Sequence, residues 1–272
     1  GIGYEAGFGF DDHDYNVAIG YRAFRQQGGS SNVAVGSFAM YGAGASNTAS
    51  NNVALGSRAM EAVTTGSNSV FVGYQAGSDI TTASSNVGVG YQAGYKLTTG
   101  LRNVAIGANT LDQATTEADN IAIGYNALGG VVNGGEKNIA IGSYVGDAIT
   151  TGDENTLLGY QSGTTLTTAS KSVAVGYRSL YNTDTGDRNT AVGYLSMEGA
   201  ANNSADQNAA FGGYTLKNVQ DGATGNTGLG YLSLSAVTTG DKNIAIGYES
   251  GDNITTGSNN VVIGAADVSS AT

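Results

Sequence analysis

The stretch that decides the fold runs from Asn86 to Gly107 and reads NVGVGYQAGYKLTTGLRNVAIG. Its opening, Asn86-Val87-Gly88-Val89-Gly90, returns seventeen positions later as Asn103-Val104-Ala105-Ile106-Gly107. Outward from there the same phrase fills the chain. Its glycine falls at 3, 20, 36, 56, 73, 90, 107, 124, 142, 159, 176, 193, 212, 230, 247 and 264. Ten of the fifteen intervals are seventeen, and the others are 16, 18, 18, 19 and 20. A fixed short period marks a solenoid, where each repeat is one turn that buries its apolar side only by stacking on its neighbours. No shift in composition interrupts the array, so residues 1–272 read as a single domain of about sixteen coils.

Numbered from its first residue, the repeat has asparagine at position 1. The series is Asn16, Asn32, Asn52, Asn86, Asn103, Asn120, Asn138, Asn155, Asn189, Asn208, Asn226, Asn243 and Asn260, with Ser69 and Ser172 as the exceptions. Stacked amides in register form hydrogen-bonded ladders, which is the role expected of this column. Position 2 is mostly Val or Ile, and position 4 is apolar in every coil from Ile2 to Ile263. With small Ala between them, this is strand alternation and not a helical stripe. It predicts a core lined by positions 2 and 4. Position 3 (Ala18, Ala34, Ala54, Ala105, Ala122) and position 8 (Ala23, Ala59, Ala76, Ser179, Ser233) are then small outer residues, suited to close approach of a second chain. Position 5 is always Gly, which fits a bend other residues resist.

Two further columns vary together. Where position 9 is Gly, position 12 is large: Gly7 with Phe10, Gly77 with Ile80, Gly94 with Leu97, Gly146 with Ile149, Gly163 with Leu166, Gly251 with Ile254. Where position 9 is large, position 12 shrinks: Phe24 with Gln27, Met40 with Ala43, Met60 with Val63, Leu111 with Ala114, Leu180 with Thr183, Met197 with Ala200, Leu234 with Val237. Interiors are close-packed, so the two columns are expected to fill one pocket from two points on the loop. The fold class is therefore all-β, a parallel β-solenoid.

Composition agrees with the pattern. There are 44 Gly and no Pro, Cys or Trp. Proline cannot donate to a ladder, so a chain that is nearly all ladder has reason to exclude it. The absence of Cys removes disulfide scaffolds, thiol nucleophiles and thiolate metal sites. A formal net charge of −11 argues against a nucleic-acid partner, whose phosphates need a basic face. No apolar run approaches the roughly 18 residues of a membrane span.

Candidate chemistry is sparse, and no cofactor is expected. The one histidine, His13, sits in Asp11-Asp12-His13-Asp14 and reads as a solvated loop ahead of a metal site. With a single His, no nucleophile–base constellation stands out, so the chain does not read as an enzyme. Asp153 with Glu154 is a carboxylate pair of the kind glycan cleavage needs. Asp187-Arg188, Asp241-Lys242 and Glu136-Lys137 occupy the same loop with opposite charges, so that loop reads as a solvated corner. Thr-Thr doublets (Thr64-Thr65, Thr255-Thr256) raise ice binding, but adjacent strand residues face opposite sides. The best binding candidate is the aromatic row at position 6: Tyr21, Tyr74, Tyr91, Tyr125, Tyr160, Tyr177, Tyr194, Tyr231 and Tyr248. Such rings pack on a neighbouring subunit or stack on sugars.

The runs NVAIGYRAF (16–24), SVFVGYQAG (69–77), NIAIGYNAL (120–128) and TTGSNNVVIG (255–264) resemble the head repeats of YadA-like trimeric autotransporter adhesins. They are still closer to the 17-residue versions in phage tail fibres and in surface proteins that end in a chaperone-of-endosialidase domain. The resemblance covers essentially the whole chain. It implies a left-handed β-roll assembled as a homotrimer on a cell surface or virion, with a host glycan or protein receptor as partner. The usual autotransporter head repeat is shorter, so this coil has a longer return loop. The chain opens inside a coil and shows no neck, stalk or anchor, so it is expected to be part of a longer fibrous protein or to stack end to end. The reading is a structural or adhesive extracellular fibre segment, with a glycan-binding or glycan-cleaving tailspike-like protein, and more remotely an ice-binding solenoid, as alternatives.

Overall fold

A computed structural model describes residues 1–9, 15–25, 28–42, 47–131, 133–199 and 204–265. The chain divides into two compact units, residues 1–137 and 138–272. The first holds β1 (Val17–Ile19), β2 (Val33–Val35), β3 (Val53–Leu55), β4 (Val70–Val72), β5 (Val87–Val89), β6 (Val104–Ile106) and β7 (Ile121–Ile123). The second holds β8 (Ile139–Ile141), β9 (Thr156–Leu158), β10 (Val173–Val175), β11 (Thr190–Val192), β12 (Ala209–Phe211), β13 (Thr227–Leu229), β14 (Ile244–Ile246) and β15 (Val261–Ile263). Within each unit every strand pairs with the next, parallel and in register, as in Val104↔Ile121 and Val173↔Thr190. Ile2 adds an isolated parallel bridge to Ile19. This is a β-solenoid, and its register survives the irregular intervals. Val33 pairs with Val53 and Thr190 with Ala209 across the two longest repeats, so the extra residues are confined to loops.

One expectation is overturned. Position 3 faces the core and positions 2 and 4 face outward. The central residue is buried in fourteen of the fifteen strands and half-buried in β15, while its neighbours are half-buried or exposed. Ala18, Ala34, Ala54, Ala105 and Ala122 are buried, as are Ala23, Ala59, Ala76, Ser179 and Ser233 at position 8. Small side chains stand there because strand and return leg lie close together. The inter-leg space takes one large side chain in most coils, and two where position 3 is Phe71 or Leu157.

That side chain comes from position 9 or position 12, and the two share a pocket. Met60 with Val63 and Leu180 with Thr183 are buried in one kind of coil, Ile80 and Leu166 in the other. A Cβ placed on Gly163 would lie 2.8 Å from Leu166 Cδ1, and one on Gly77 would lie 2.8 Å from Ile80 Cδ1. The exchange extends to position 3, which the repeat pattern does not reveal. Phe71 stands where other coils have Ala, and a Cβ on Gly88 in the next coil would come 2.3 Å from its ring. Phe10, Gln27, Ala43 and Ala200 of the paired columns lie outside the described residues.

The corners come from left-handed backbone at three positions per coil, mostly without glycine. Position 7 (Gln75 φ 54°, Arg178 φ 51°), position 9 (Met60 φ 50°, Leu180 φ 50°) and position 17 (Ser85 φ 62°, Lys171 φ 60°) all adopt it. Each such residue costs about 1–2 kcal/mol, which the ladder around it must offset. Proline, whose φ is held at about −65° by its ring, fits none of them, a second reason for its absence. At position 5 glycine is obligatory for another reason. Gly107 has φ 131°, and a Cβ there would sit 2.1 Å from the carbonyl oxygen of Gly124 in the next coil.

Candidate interaction face

Turning position 3 inward puts most of the strands' own large aliphatic side chains on the outside. Ile106, Ile141, Leu229, Ile246 and Ile263 at position 4 are exposed, as are Val17, Ile244 and Val261 at position 2. Beside this strip, past the position-5 bend, stand the tyrosines of position 6. Tyr21, Tyr74, Tyr91, Tyr125, Tyr160, Tyr177, Tyr194, Tyr231 and Tyr248 are all exposed, at 40–53%. Each unit thus exposes both an apolar strip and an aromatic row.

The row is a stack. Tyr160, Tyr177 and Tyr194 lie with centroids 5.7 and 5.2 Å apart and planes within 12°. Tyr74 on Tyr91 (5.8 Å) and Tyr231 on Tyr248 (5.7 Å) repeat the arrangement. Where position 6 is small, at Ser37, Ser143 and Gly213, an aromatic residue at position 7 takes its place. Phe38 meets Tyr21, Tyr144 meets Tyr160, and Tyr214 meets both Tyr194 and Tyr231, all edge-on. The second unit thus carries seven successive rings from Tyr144 to Tyr248, whereas the first is interrupted at Ser57 and Ala108. The position-6 column taken alone hides this exchange, although positions 6 and 7 read together show it. Stacked rings present their edges outward and keep their faces for each other. Arg178 lies 4.1 Å over Tyr181, and Lys217 5.1 Å over Tyr214. Burial and the neighbouring Tyr194 phenol raise the Tyr214 pKa, and a hydrogen bond to Glu249 raises that of Tyr248, so both hydroxyls stay neutral at physiological pH.

The position-1 asparagines are interior. Asn32, Asn52, Asn86, Asn103, Asn120, Asn138, Asn155, Asn189, Asn208, Asn226 and Asn243 are buried, while Asn16 and Asn260 at the ends are half-buried. In Asn103 the Oδ1 accepts the backbone N–H of Asn120 at 3.0 Å. Its Nδ2 donates to Asn86 Oδ1 at 3.2 Å and to the carbonyl of Glu117, in its own coil, at 2.7 Å. Asn138 likewise donates to Gly152 and accepts from Asn155. The column therefore ties successive coils together and closes each coil on itself. Ser69 and Ser172 keep the acceptor half, taking the N–H of Asn86 and Asn189.

The charged corner also takes part in ladders. Asp187 Oδ1 accepts the N–H of Ser170 and Asp241 Oδ1 that of Thr224, each at 2.8 Å, with Ser170 and Ser258 serving Asp153 and Asp241 in turn. In several Thr doublets the first hydroxyl donates to the next coil, as Thr64 does to Thr81, while both threonines are exposed at Thr115-Thr116 and Thr255-Thr256. His13 and its three aspartates lie outside the described residues. Among the described residues no group of three or more His, Cys, Asp or Glu is placed to hold a metal, and no helix is long and apolar enough to cross a membrane.

One buried carboxylate is not apparent from the repeat pattern. Glu117 stands where the other described coils have Gly or Ala, and it is buried. Its Oε2 accepts the N–H groups of Thr115 (2.6 Å) and Thr116 (2.9 Å), and its Oε1 that of Gly134 (3.0 Å). In regular coils the equivalent threonine amides are bonded by the next coil's carbonyl, as Thr81 and Thr82 are by Thr98. The following coil here is one residue longer, and the Glu117 carboxylate accepts both amides.

Compared with family models, curated proteins and solved structures, the chain matches none. What defines it is its own geometry: a β-solenoid with an apolar, tyrosine-edged outer face.

Proposed function

We propose that this chain is a self-associating segment of an extracellular structural or adhesive fibre, the shaft or head of a cell-surface or virion appendage, without enzymatic activity. Three left-handed copies, as the adhesin-head resemblance implies, pack through the outward faces of their strands. The observation that carries the reading is the exposed strip at positions 2 and 4. With eight strands at about 4.8 Å and a width near 10 Å, the outward strand face of the second unit spans about 350 Å², interrupted by Thr156, Thr190 and Thr227, and the tyrosine row takes it beyond about 500 Å². That lies toward the upper end of what a monomeric protein leaves open, and such patches mark association surfaces. Light scattering at micromolar concentration is expected to give three chains per particle. Ile141→Lys with Leu229→Lys, both outward, should yield monomers with an unchanged β spectrum. A native chain that is already monomeric refutes the proposal.

Glycan binding has one observation of its own in favour. At Ala108 the row lacks a rung, so Tyr91 stacks on Tyr74 on one side and faces a small residue on the other. A sugar ring fits there in place of the missing tyrosine. Loss of glycan-array binding on Ala108→Tyr would support it; binding that survives the substitution would exclude this site.

A further inference from the structure

Asn133-Gly134 is the single Asn-Gly dipeptide in the chain. It lies in the longer loop of the coil that begins at Asn120. Both residues are exposed, Gly134 has φ 110°, and nothing stands within 4 Å of where its Cβ would be. The amide nitrogen of Gly134 is the atom that attacks when an asparagine side chain cyclises. Its proton points at Glu117 Oε1, 3.0 Å away. Glu117 itself is fixed by the amides of Thr115 and Thr116.

We propose that Asn133 is a built-in deamidation site, with Glu117 as the general base. Glu117 takes the proton from Gly134 N as that nitrogen bonds to Asn133 Cγ. The Cγ–Nδ2 bond breaks, and ammonia leaves with the proton Glu117 received. Water then opens the succinimide at either carbonyl and gives aspartyl and isoaspartyl chains. No oxidant, metal or cofactor is required. The open space around Gly134 leaves room for the ring, and the stacked coil beside it holds the base in place. A positioned carboxylate that removes the proton in the rate-limiting step contributes about tenfold or more. The isoaspartyl product adds a methylene to the backbone of this loop and a charge beside a buried carboxylate.

The test is peptide mass spectrometry of the whole chain during incubation at about 37 °C, a temperature chosen as physiological. Acid should accumulate at Asn133 ahead of every other asparagine, with isoaspartate detectable by methyltransferase labelling. Its rate should rise far less steeply than the about tenfold per pH unit of hydroxide-driven cyclisation, because the side chain supplies the base. Glu117→Gln should slow it about tenfold, and so should unfolding in urea, which removes the base from Gly134. A rate that climbs about tenfold per pH unit throughout, or that is equal or faster in urea, overturns the proposal. The pH profile uses the unaltered chain, so the outcome does not depend on the variant folding.

Discussion

Asn226 offers the sharpest test of the asparagine column. Its side chain makes four hydrogen bonds while wholly buried. The Nδ2 donates to Asn208 Oδ1 (3.1 Å) and Gly240 O (2.8 Å), and the Oδ1 accepts from Asn243 N and Nδ2 (3.0 Å each). In Asn226→Ala the Gly240 carbonyl and the Asn243 N–H lose their partners. Asn208 Oδ1 still accepts the N–H of residue 226, and Asn243 Nδ2 still donates to Gly257. Two stranded buried groups at about 1–3 kcal/mol each, with two weakened ones, put the cost at about 3–5 kcal/mol. Asn226→Ser should cost about half, because serine holds the acceptor at Ser69 and Ser172. Solenoids need not unfold as one unit, so the assay is native-state amide exchange at Asn243 alongside urea melts. Alanine should speed exchange of that amide by about two to three decades. A loss below about 1 kcal/mol, or a serine variant no better than alanine, would show that the column follows order without producing it.

Three other outcomes follow from the same geometry. Giving the Asn155 coil the core of its neighbour, Leu157→Ala with Gly163→Leu and Leu166→Thr, should leave it more stable than Gly163→Leu alone by about 2 kcal/mol in denaturant titration, since the single change forces its Cβ against Leu157 and Leu166. Lys171→Gly, at an exposed left-handed position, should raise stability by about 0.5 kcal/mol and Lys171→Val should lower it by more than about 1 kcal/mol, the reverse of ordinary strand preference. Asp112 is half-buried with one oxygen unpartnered, and burial raises its carboxyl pKa. Its folded form therefore binds the proton more tightly than the unfolded chain, so its contribution improves as pH falls through the raised value toward the ordinary one. Asp112→Asn should raise the melting midpoint at pH 7, and the gap from the native chain should close on acidification; a gap that widens refutes this.

Much of this molecule is written in one dimension. A period of seventeen stacks like on like, so the asparagine column, the shared pocket of positions 9 and 12 and the strand register at Val104↔Ile121 are all legible from spacing. Alternation also shows that positions 2 and 4 share one side and position 3 the other. Which side is the core is decided only by the return leg. That leg passes close enough to the strand to favour alanine between them, with Phe71 and Leu157 admitted only where glycine at position 9 leaves room, a distance no repeat pattern carries. The left-handed corners at Met60 and Lys171 are hidden for a related reason, because the stacked ladder imposes a backbone these residues do not choose alone. Glu117 looks in the sequence like another acidic loop residue. Only the fold turns it inward, where the amides of Thr115, Thr116 and Gly134 make a carboxylate the right group to bury.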